Sequence, residues 1–226
     1  MNELIWFFFA LINFVMIVLS YKFFGKTGLF AWIAMGTVLA NIQVQKTVEL
    51  FYLTATLGNI MYGTLFLATD TLSEKYGIKE AKRAVYIGFF ALISSVIIMQ
   101  GAIMFSPHAF DEAHGAIEQL FGIHYIRVVI GSLSAYLISQ LLDVHLFQAI
   151  KKRFSTDKTL YVRNIGSTLI SQLVDTLIFV PIAFLGVFDF TTVVSIFVTT
   201  YLIKLLVAAL DTPFIYLMKT IKPLNE

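Results

Sequence analysis

Cysteine is absent from the 226 residues, which excludes disulfides, thiolate metal centres and cysteine nucleophiles. Charge is scarce too: Asp, Glu, Lys and Arg make up 13% of the chain, against roughly 25% in a soluble domain. No His-Glu-x-x-His pair, Gly-rich phosphate loop or Gly-x-Ser-x-Gly elbow occurs, so the usual zinc-hydrolase, nucleotide-hydrolase and serine-hydrolase frameworks are missing. Met1-Asn2-Glu3 lacks the basic start of a secretory signal, so the first apolar run is expected to be retained. What is abundant is apolar surface: 58% hydrophobic residues, 22 of them Phe, and a mean hydropathy of +0.84. This composition excludes a soluble enzyme, a disordered chain and a nucleic-acid binder, and points to a polytopic all-α membrane protein.

Seven apolar stretches can be marked, at about 4–20, 28–45, 51–69, 84–105, 126–149, 165–187 and 191–218, each near the roughly 20 residues a span needs. Only Lys46 to Glu49 separates the second from the third, so a six-span alternative would fuse or bend that region. Placing the connecting segments alternately on two sides puts 13 of the 16 basic residues on one side. Lys46, Arg127 and Lys204 are left over, at span ends or inside spans. Cytoplasmic loops are enriched in Lys and Arg, so the bias predicts seven spans, the N-terminus outside and the C-terminus in the cytoplasm. The whole chain, 1–226, is expected to be one transmembrane domain. In the longest outer loop, 106–125, a short surface helix is expected over 110–121. Asp111, His114 and Glu118 share its spacing; a polar face turned to water explains them better than a metal site.

Ionisable groups inside spans cost about 2.5–3.5 kcal/mol each on insertion scales and mark function by default. Here they fall in an internal repeat. Residues 138–147 and 170–179 both contain Ser-Gln-x-x-Asp: Ser139, Gln140 and Asp143 in one copy, Ser171, Gln172 and Asp175 in the other. Gln and Asp three apart share a helix face. Asp143 lies eight residues before Lys151 and Asp175 twelve after Arg163, or about 12 and 18 Å of helix. Antiparallel neighbours would bring both Gln–Asp pairs to one cavity at similar depth, as in transporter sites built from repeats. The serines serve equally well as helix glue. Lys204, in the last span, would neutralise Asp143 or Asp175, with Asp211 on its face two turns on. Pro213 predicts a kink near Asp211, and Arg127 is expected to snorkel to the interface. Asp70 and Glu74, at i and i+4, sit where the third span meets the basic side; they would take up a proton or gate the exit, or else pair with Lys75, Lys79, Arg83 or the basic loop at 151–163.

The segment Asp70-Thr-Leu-Ser-Glu74-Lys-Tyr-Gly77, the strings 131–144 and 163–176 around the repeat, Asn41-Ile-Gln-Val-Gln-Lys46 and Tyr201-Leu-Ile-Lys204 resemble the queuosine precursor transporter family, within the vitamin uptake transporter group. The resemblance runs from about residue 40 to 215. It implies multi-pass uptake across a bacterial inner membrane of 7-deazaguanines salvaged for tRNA modification: 7-cyano-7-deazaguanine, 7-aminomethyl-7-deazaguanine or queuine. On chemical grounds a carboxylate accepts adjacent N–H donors of a guanine-like edge, and a Gln amide both donates and accepts. Gln140, Asp143, Gln172, Asp175 and Lys204 are thus the expected substrate residues, and Asp70, Glu74 and Asp211 the candidates for gating or proton coupling. Tyr52, Tyr62, Tyr136 and Phe147 are candidates for stacking on the base. No catalytic residue, metal or cofactor is expected. The expected partners are the small-molecule 7-deazaguanine, membrane lipid and, in a homo-oligomer, further copies of the chain. The rival reading is the substrate-binding subunit of an energy-coupling-factor uptake complex, which would need a separate ATPase; an intramembrane two-carboxylate hydrolase is a weaker one.

Overall fold

A computed structural model describes residues 2–51, 53–122 and 126–224, with backbone alone for 53 and 54. The elements run α1 (Asn2–Gln43), β1 (Thr47–Leu50), β2 (Leu53–Thr56), α2 (Gly58–Lys75), α3 (Ile78–Ile103), α4 (His114–Phe121), α5 (Ile126–Arg153), α6 (Leu160–Phe184) and α7 (Phe190–Thr220). Among the described residues five helices are long and apolar enough to cross a membrane: α1, α3, α5, α6 with the short turn before it, and α7.

The 42 residues of α1 would make a rod of about 63 Å, twice the hydrocarbon thickness of about 30 Å. The rod folds back instead. Gly25 takes φ 57°, ψ −140° inside the helix, a conformation open to a residue without a Cβ. Ser20 Oγ then donates to the Gly28 carbonyl at 3.0 Å, and a Cβ on Gly28 would collide with the Ser20 carbonyl oxygen. Residues eight apart meet, so the two limbs run antiparallel. They correspond to the first two apolar stretches of the sequence.

The third stretch departs from expectation. Residues 47–56 form an antiparallel hairpin, with Thr47 opposite Thr56 and Leu50 opposite Leu53. Phe51 at its tip has φ 52°, the left-handed backbone that tight hairpin turns require. The hairpin is tied to the start of α1: Asn2 donates to the Glu49 carbonyl, and the Phe51 N–H donates to the Glu3 carboxylate. The helix therefore begins at Gly58, not at 51, and runs on to Lys75. It is not among the five apolar helices, and its burial explains why. Every residue from Gly58 to Ser73 except Tyr62 is buried, so α2 is lined by protein on all sides and has no lipid to match. Its contact with α7 is close enough that a Cβ on Gly63 would strike the Val207 side chain.

Polarity is inverted relative to a soluble protein. Phe7, Phe8, Phe90, Ile97, Ile98, Val194 and Leu202 are exposed, whereas Asp70, Gln140, Asp143, Arg163, Asn164, Gln172, Asp175, Lys204 and Asp211 are buried. In lipid this is the stable arrangement: apolar side chains meet the acyl chains, and polar ones satisfy each other inside. Phe14 of α1 stacks on Phe214 of α7 at 4.8 Å and closes part of the apolar core.

The outer-loop helix is shorter than 110–121, because the Asp111 carboxylate accepts from the Ala113 and His114 amides and so starts α4 at His114. Among the described residues no group of three His, Cys, Asp or Glu could hold a metal ion. Arg127 donates to the Leu185 carbonyl at 2.8 Å, capping the end of α6. The α7 helix continues through Pro213 to Thr220.

Candidate functional site

Counting along each helix from its basic end, at about 1.5 Å per residue, the buried polar groups form three layers. The layer at the basic end is a clamp around Glu74. This residue sits in the last turn of α2, past its apolar stretch. Arg163 of α6 grips it with two donors, at 2.8 and 3.1 Å. Lys151 of α5 lies at 3.0 Å and Lys219 of α7 at 2.6 Å. Arg163 is fully buried, and its remaining donors reach the Phe154 and Thr156 carbonyls. Burial on its own would raise the Glu74 pKa; the hydrogen bonds from Arg163, Lys219 and Lys151 outweigh it and bring the value to about 2. Lys75, next in sequence, donates to the Met218 and Ile221 carbonyls at the end of α7. Four helices are thus fastened together at this end.

The middle layer holds Asp70 of α2, Asp143 of α5 and Asp211 of α7, all buried. Asp143 Oδ1 accepts from Ser171 at 2.8 Å and from Thr168 at 3.5 Å. Asp211 accepts from the Asn164 amide at 2.9 Å. Asp70 faces the Asp143 segment of α5, where Thr69 donates to Gln140 and Gln148 donates to the Ser73 carbonyl.

The third layer, farthest from the clamp, is built on Asp175 of α6. Its Oδ2 pairs with the Lys204 ammonium of α7. Its Oδ1 accepts from the Tyr62 hydroxyl at 2.6 Å and from Ser139 Oγ at 3.0 Å. Lys204 also lies 5.2 Å from the centre of the Tyr62 ring. A buried ion pair is stable when its remaining lone pairs and protons find partners, and Tyr62 and Ser139 supply them here.

Tyr62, Asp175 and Lys204 of this third layer line a cavity. The walls come from the second limb of α1 (Thr37, Asn41) and the turn after it (Val44), the start of α2 (Asn59, Tyr62), α5 (Ser132, Tyr136), α6 (Asp175, Phe179) and α7 (Thr200, Lys204). The helical wall residues all belong to the helix halves remote from the clamp. The cavity therefore lies in the half of the bundle remote from the clamp.

Of the five residues expected to bind substrate, Asp175 and Lys204 line the cavity, while Gln140, Asp143 and Gln172 do not. The two copies of the repeat do not meet in one chamber. Because α5 and α6 are antiparallel, equal depth pairs Ser139 with Asp175 and Ser171 with Asp143, one helical turn apart. Gln140 accepts from Thr69 at 3.1 Å and so joins α5 to α2 beside Asp70. Gln172 is buried with its Oε1 unpartnered. Of the aromatic candidates, Tyr62 and Tyr136 line the cavity. Phe147 stands at the other end under the Arg163 guanidinium, and Tyr52 lies outside the described residues. Asn41, Asn59, Phe179 and Thr200 were not singled out as ligand residues. Asn41 and Asn59 carried a signal, each being an amide beside or within an apolar stretch.

A family model described as "Putative vitamin uptake transporter" matches residues 56–218. The "Probable queuosine precursor transporter" of Bacillus subtilis (strain 168) is 50% identical over 225 residues, 100% of this chain and 98% of the relative. The "Queuosine precursor transporter" of Escherichia coli (strain K12) is 30% identical over 146 residues, 64% of this chain and 62% of the relative. A protein of Haemophilus influenzae with the same name as the first is 30% identical over 131 residues, 58% and 52% of the two chains. No solved structure matches the chain.

Proposed function

The chain belongs to the vitamin uptake transporter family, and we propose that it imports queuosine precursors, the 7-deazaguanine bases, across a bacterial inner membrane by alternating access. The whole chain acts as one transmembrane unit of seven passes: two limbs of α1, then α2, α3, α5, α6 and α7. The N-terminus is outside, and the clamp end is cytoplasmic because the Lys and Arg residues gather there. The relatives' names support the substrate class, and the 50% identity over the full length carries that support.

The observation that carries the mechanism is the pairing of an open cavity at one end with a salt-bridged seal at the other. This is the outward-facing member of an alternating pair. A flat base enters beside Tyr62, Tyr136 and Phe179, whose rings offer faces to stack on. The Asn41 and Asn59 amides each supply a donor and an acceptor, which suits the mixed edge of a guanine-like ring. At the floor the Asp175 carboxylate and Lys204 ammonium present opposite charges side by side, so a bound base meets a dipole rather than a net charge. Asp175 and Lys204 are thus the substrate residues, with Gln140, Asp143 and Gln172 behind them. Release to the cytoplasm requires the Glu74 clamp to open.

The test is uptake of radiolabelled 7-cyano-7-deazaguanine, 7-aminomethyl-7-deazaguanine and queuine by a bacterium lacking its own synthesis and import genes and expressing this protein alone. Accumulation of one base, lost in Asp175→Asn at equal membrane abundance, supports the reading. Binding by the purified protein without uptake would favour a subunit that waits for an ATPase. Absence of both uptake and binding would refute it.

A further inference from the structure

The acidic middle layer is not needed to hold the substrate, and it lacks what buried carboxylates ordinarily have. Asp70 is fully buried, yet neither of its oxygens has a donor from any other residue. Asp143 is fully buried too, and its Oδ2 is likewise without a donor. Thr69 donates to Gln140 and Gln148 donates to the Ser73 carbonyl, so the two carboxyl groups stand on facing segments of α2 and α5. Ionised carboxylates only accept hydrogen bonds, so two of them can bond only if one carries an O–H and donates it to the other. Two bare anions at this separation, in a medium of low dielectric, would repel strongly. The missing partner is a proton.

The surroundings offer no alternative. From α2 the pair faces Glu74, whose charge is taken up by Arg163, Lys151 and Lys219. From α7 it faces Asp211, held by Asn164 of α6. From α6 come Ser167, Thr168 and Ser171, all neutral. Among the described residues no Lys, Arg or His forms a salt bridge with Asp70, Asp143 or Asp211.

We propose that the Asp70–Asp143 pair is a proton-binding site, loaded and unloaded as substrate passes, so that uptake is driven by an inward proton gradient. The coupling rests on the transporter reading above; the proton site itself does not. Position links the pair to the cavity. Asp143 lies four residues nearer the basic end of α5 than Ser139, which bonds to Asp175, so the pair is about 6 Å nearer the clamp than the cavity's ion pair. Adjacent residues on α5 join the layers: Ser139 bonds to Asp175, and Gln140 accepts from Thr69, the neighbour of Asp70. A shift of α5 against α2 when the base binds would alter both at once. The proton enters one carboxylate as an O–H and leaves to water when the clamp opens. No other bond changes.

A purely structural acid pair would tolerate Asp70→Asn, because the amide keeps the shape and still donates to Asp143. A proton carrier would not. Two measurements decide the matter. In the infrared spectrum of the purified protein, a protonated-carboxyl C=O band that shifts in heavy water is expected, and is lost in both Asp70→Asn and Asp143→Asn. Its absence from the wild type overturns the site.

In liposomes containing a pH-sensitive dye, 7-cyano-7-deazaguanine uptake by the wild type should acidify the lumen, and an inward proton gradient should raise accumulation. Asp70→Asn should keep exchange of labelled for unlabelled base while accumulation falls to parity across the membrane. Uptake without acidification, uptake driven by sodium instead, or wild-type accumulation by Asp70→Asn would overturn the coupling. Failure of the wild type to take up or exchange any of the three bases would sink the transporter reading and the coupling with it, and the infrared band would still decide whether the pair holds a proton.

Discussion

Ser139 of one repeat donates to Asp175 of the other, at 3.0 Å. The bond has a mirror image: Ser171 of the second repeat donates to Asp143 of the first, at 2.8 Å. Two copies of Ser-Gln-x-x-Asp on antiparallel helices thus satisfy each other crosswise, and in doing so place their carboxylates one turn apart. One meets Lys204 at the cavity floor; the other faces the Asp70 segment of α2 in the acidic layer. The same three residue types yield two environments because α2 and α7 present different partners at the two depths.

Removing the lysine tests the first environment. Lys204→Ala leaves Asp175 buried without its cation, a change expected to cost about 3–5 kcal/mol. Melting in detergent should show a large loss of stability, most of it recovered in the double variant Lys204→Ala, Asp175→Asn. Wild-type stability of the single variant would mean that the pair contributes nothing to holding α6 against α7.

Tyr62 serves in two ways, and two substitutions separate them. Tyr62→Phe keeps the ring and loses the 2.6 Å bond to Asp175. Tyr62→Ala also loses a stacking face worth roughly 1–3 kcal/mol per base. Calorimetric titration with 7-cyano-7-deazaguanine should show weaker binding for Phe and much weaker binding for Ala. Equal effects would exclude stacking at this ring.

The absence of cysteine makes the clamp open to labelling without background. Ser167 is fully buried, one turn beyond Arg163. In inside-out vesicles, Ser167→Cys should react slowly with a membrane-impermeant maleimide. Adding Glu74→Gln, which removes the charge that Arg163, Lys151 and Lys219 share, should speed the reaction. An unchanged rate would show that the clamp does not close the cytoplasmic side.

Acid should act on the same clamp in a set direction. The folded-state pKa of Glu74 is about 2, below the free value of about 4.3. Its contribution to stability is therefore complete above the free value and is lost as pH falls toward the folded one. The melting difference between wild type and Glu74→Gln should hold from pH 8 to about 5 and narrow below about 4. A difference that fades between pH 8 and 6 would contradict this.

Much of this arrangement was legible in the sequence. Apolar runs marked the membrane-length helices, the basic bias marked the clamp end, and the ionisable residues inside spans include Asp175 and Lys204, which line the cavity. The hairpin at 47–56 was hidden because Val48, Leu50, Phe51 and Leu53 are as apolar as a span. The polarity of α2 was misleading in the opposite sense: Thr64, Thr69, Asp70 and Ser73 weaken its hydropathy because protein rather than lipid surrounds it. Spacing along one helix told which residues share a face, but not that Asp143 meets α2 while Asp175 meets α7. That division depends on tertiary packing.

The division between the two aspartates is the central claim, and equilibrium binding tests it most directly. Purified wild type, Asp175→Asn and Asp143→Asn would be titrated with radiolabelled 7-cyano-7-deazaguanine. Asp175→Asn is predicted to lose binding, while Asp143→Asn binds as the wild type does and fails only in gradient-driven accumulation. Loss of binding in Asp143→Asn with retention in Asp175→Asn would contradict the account.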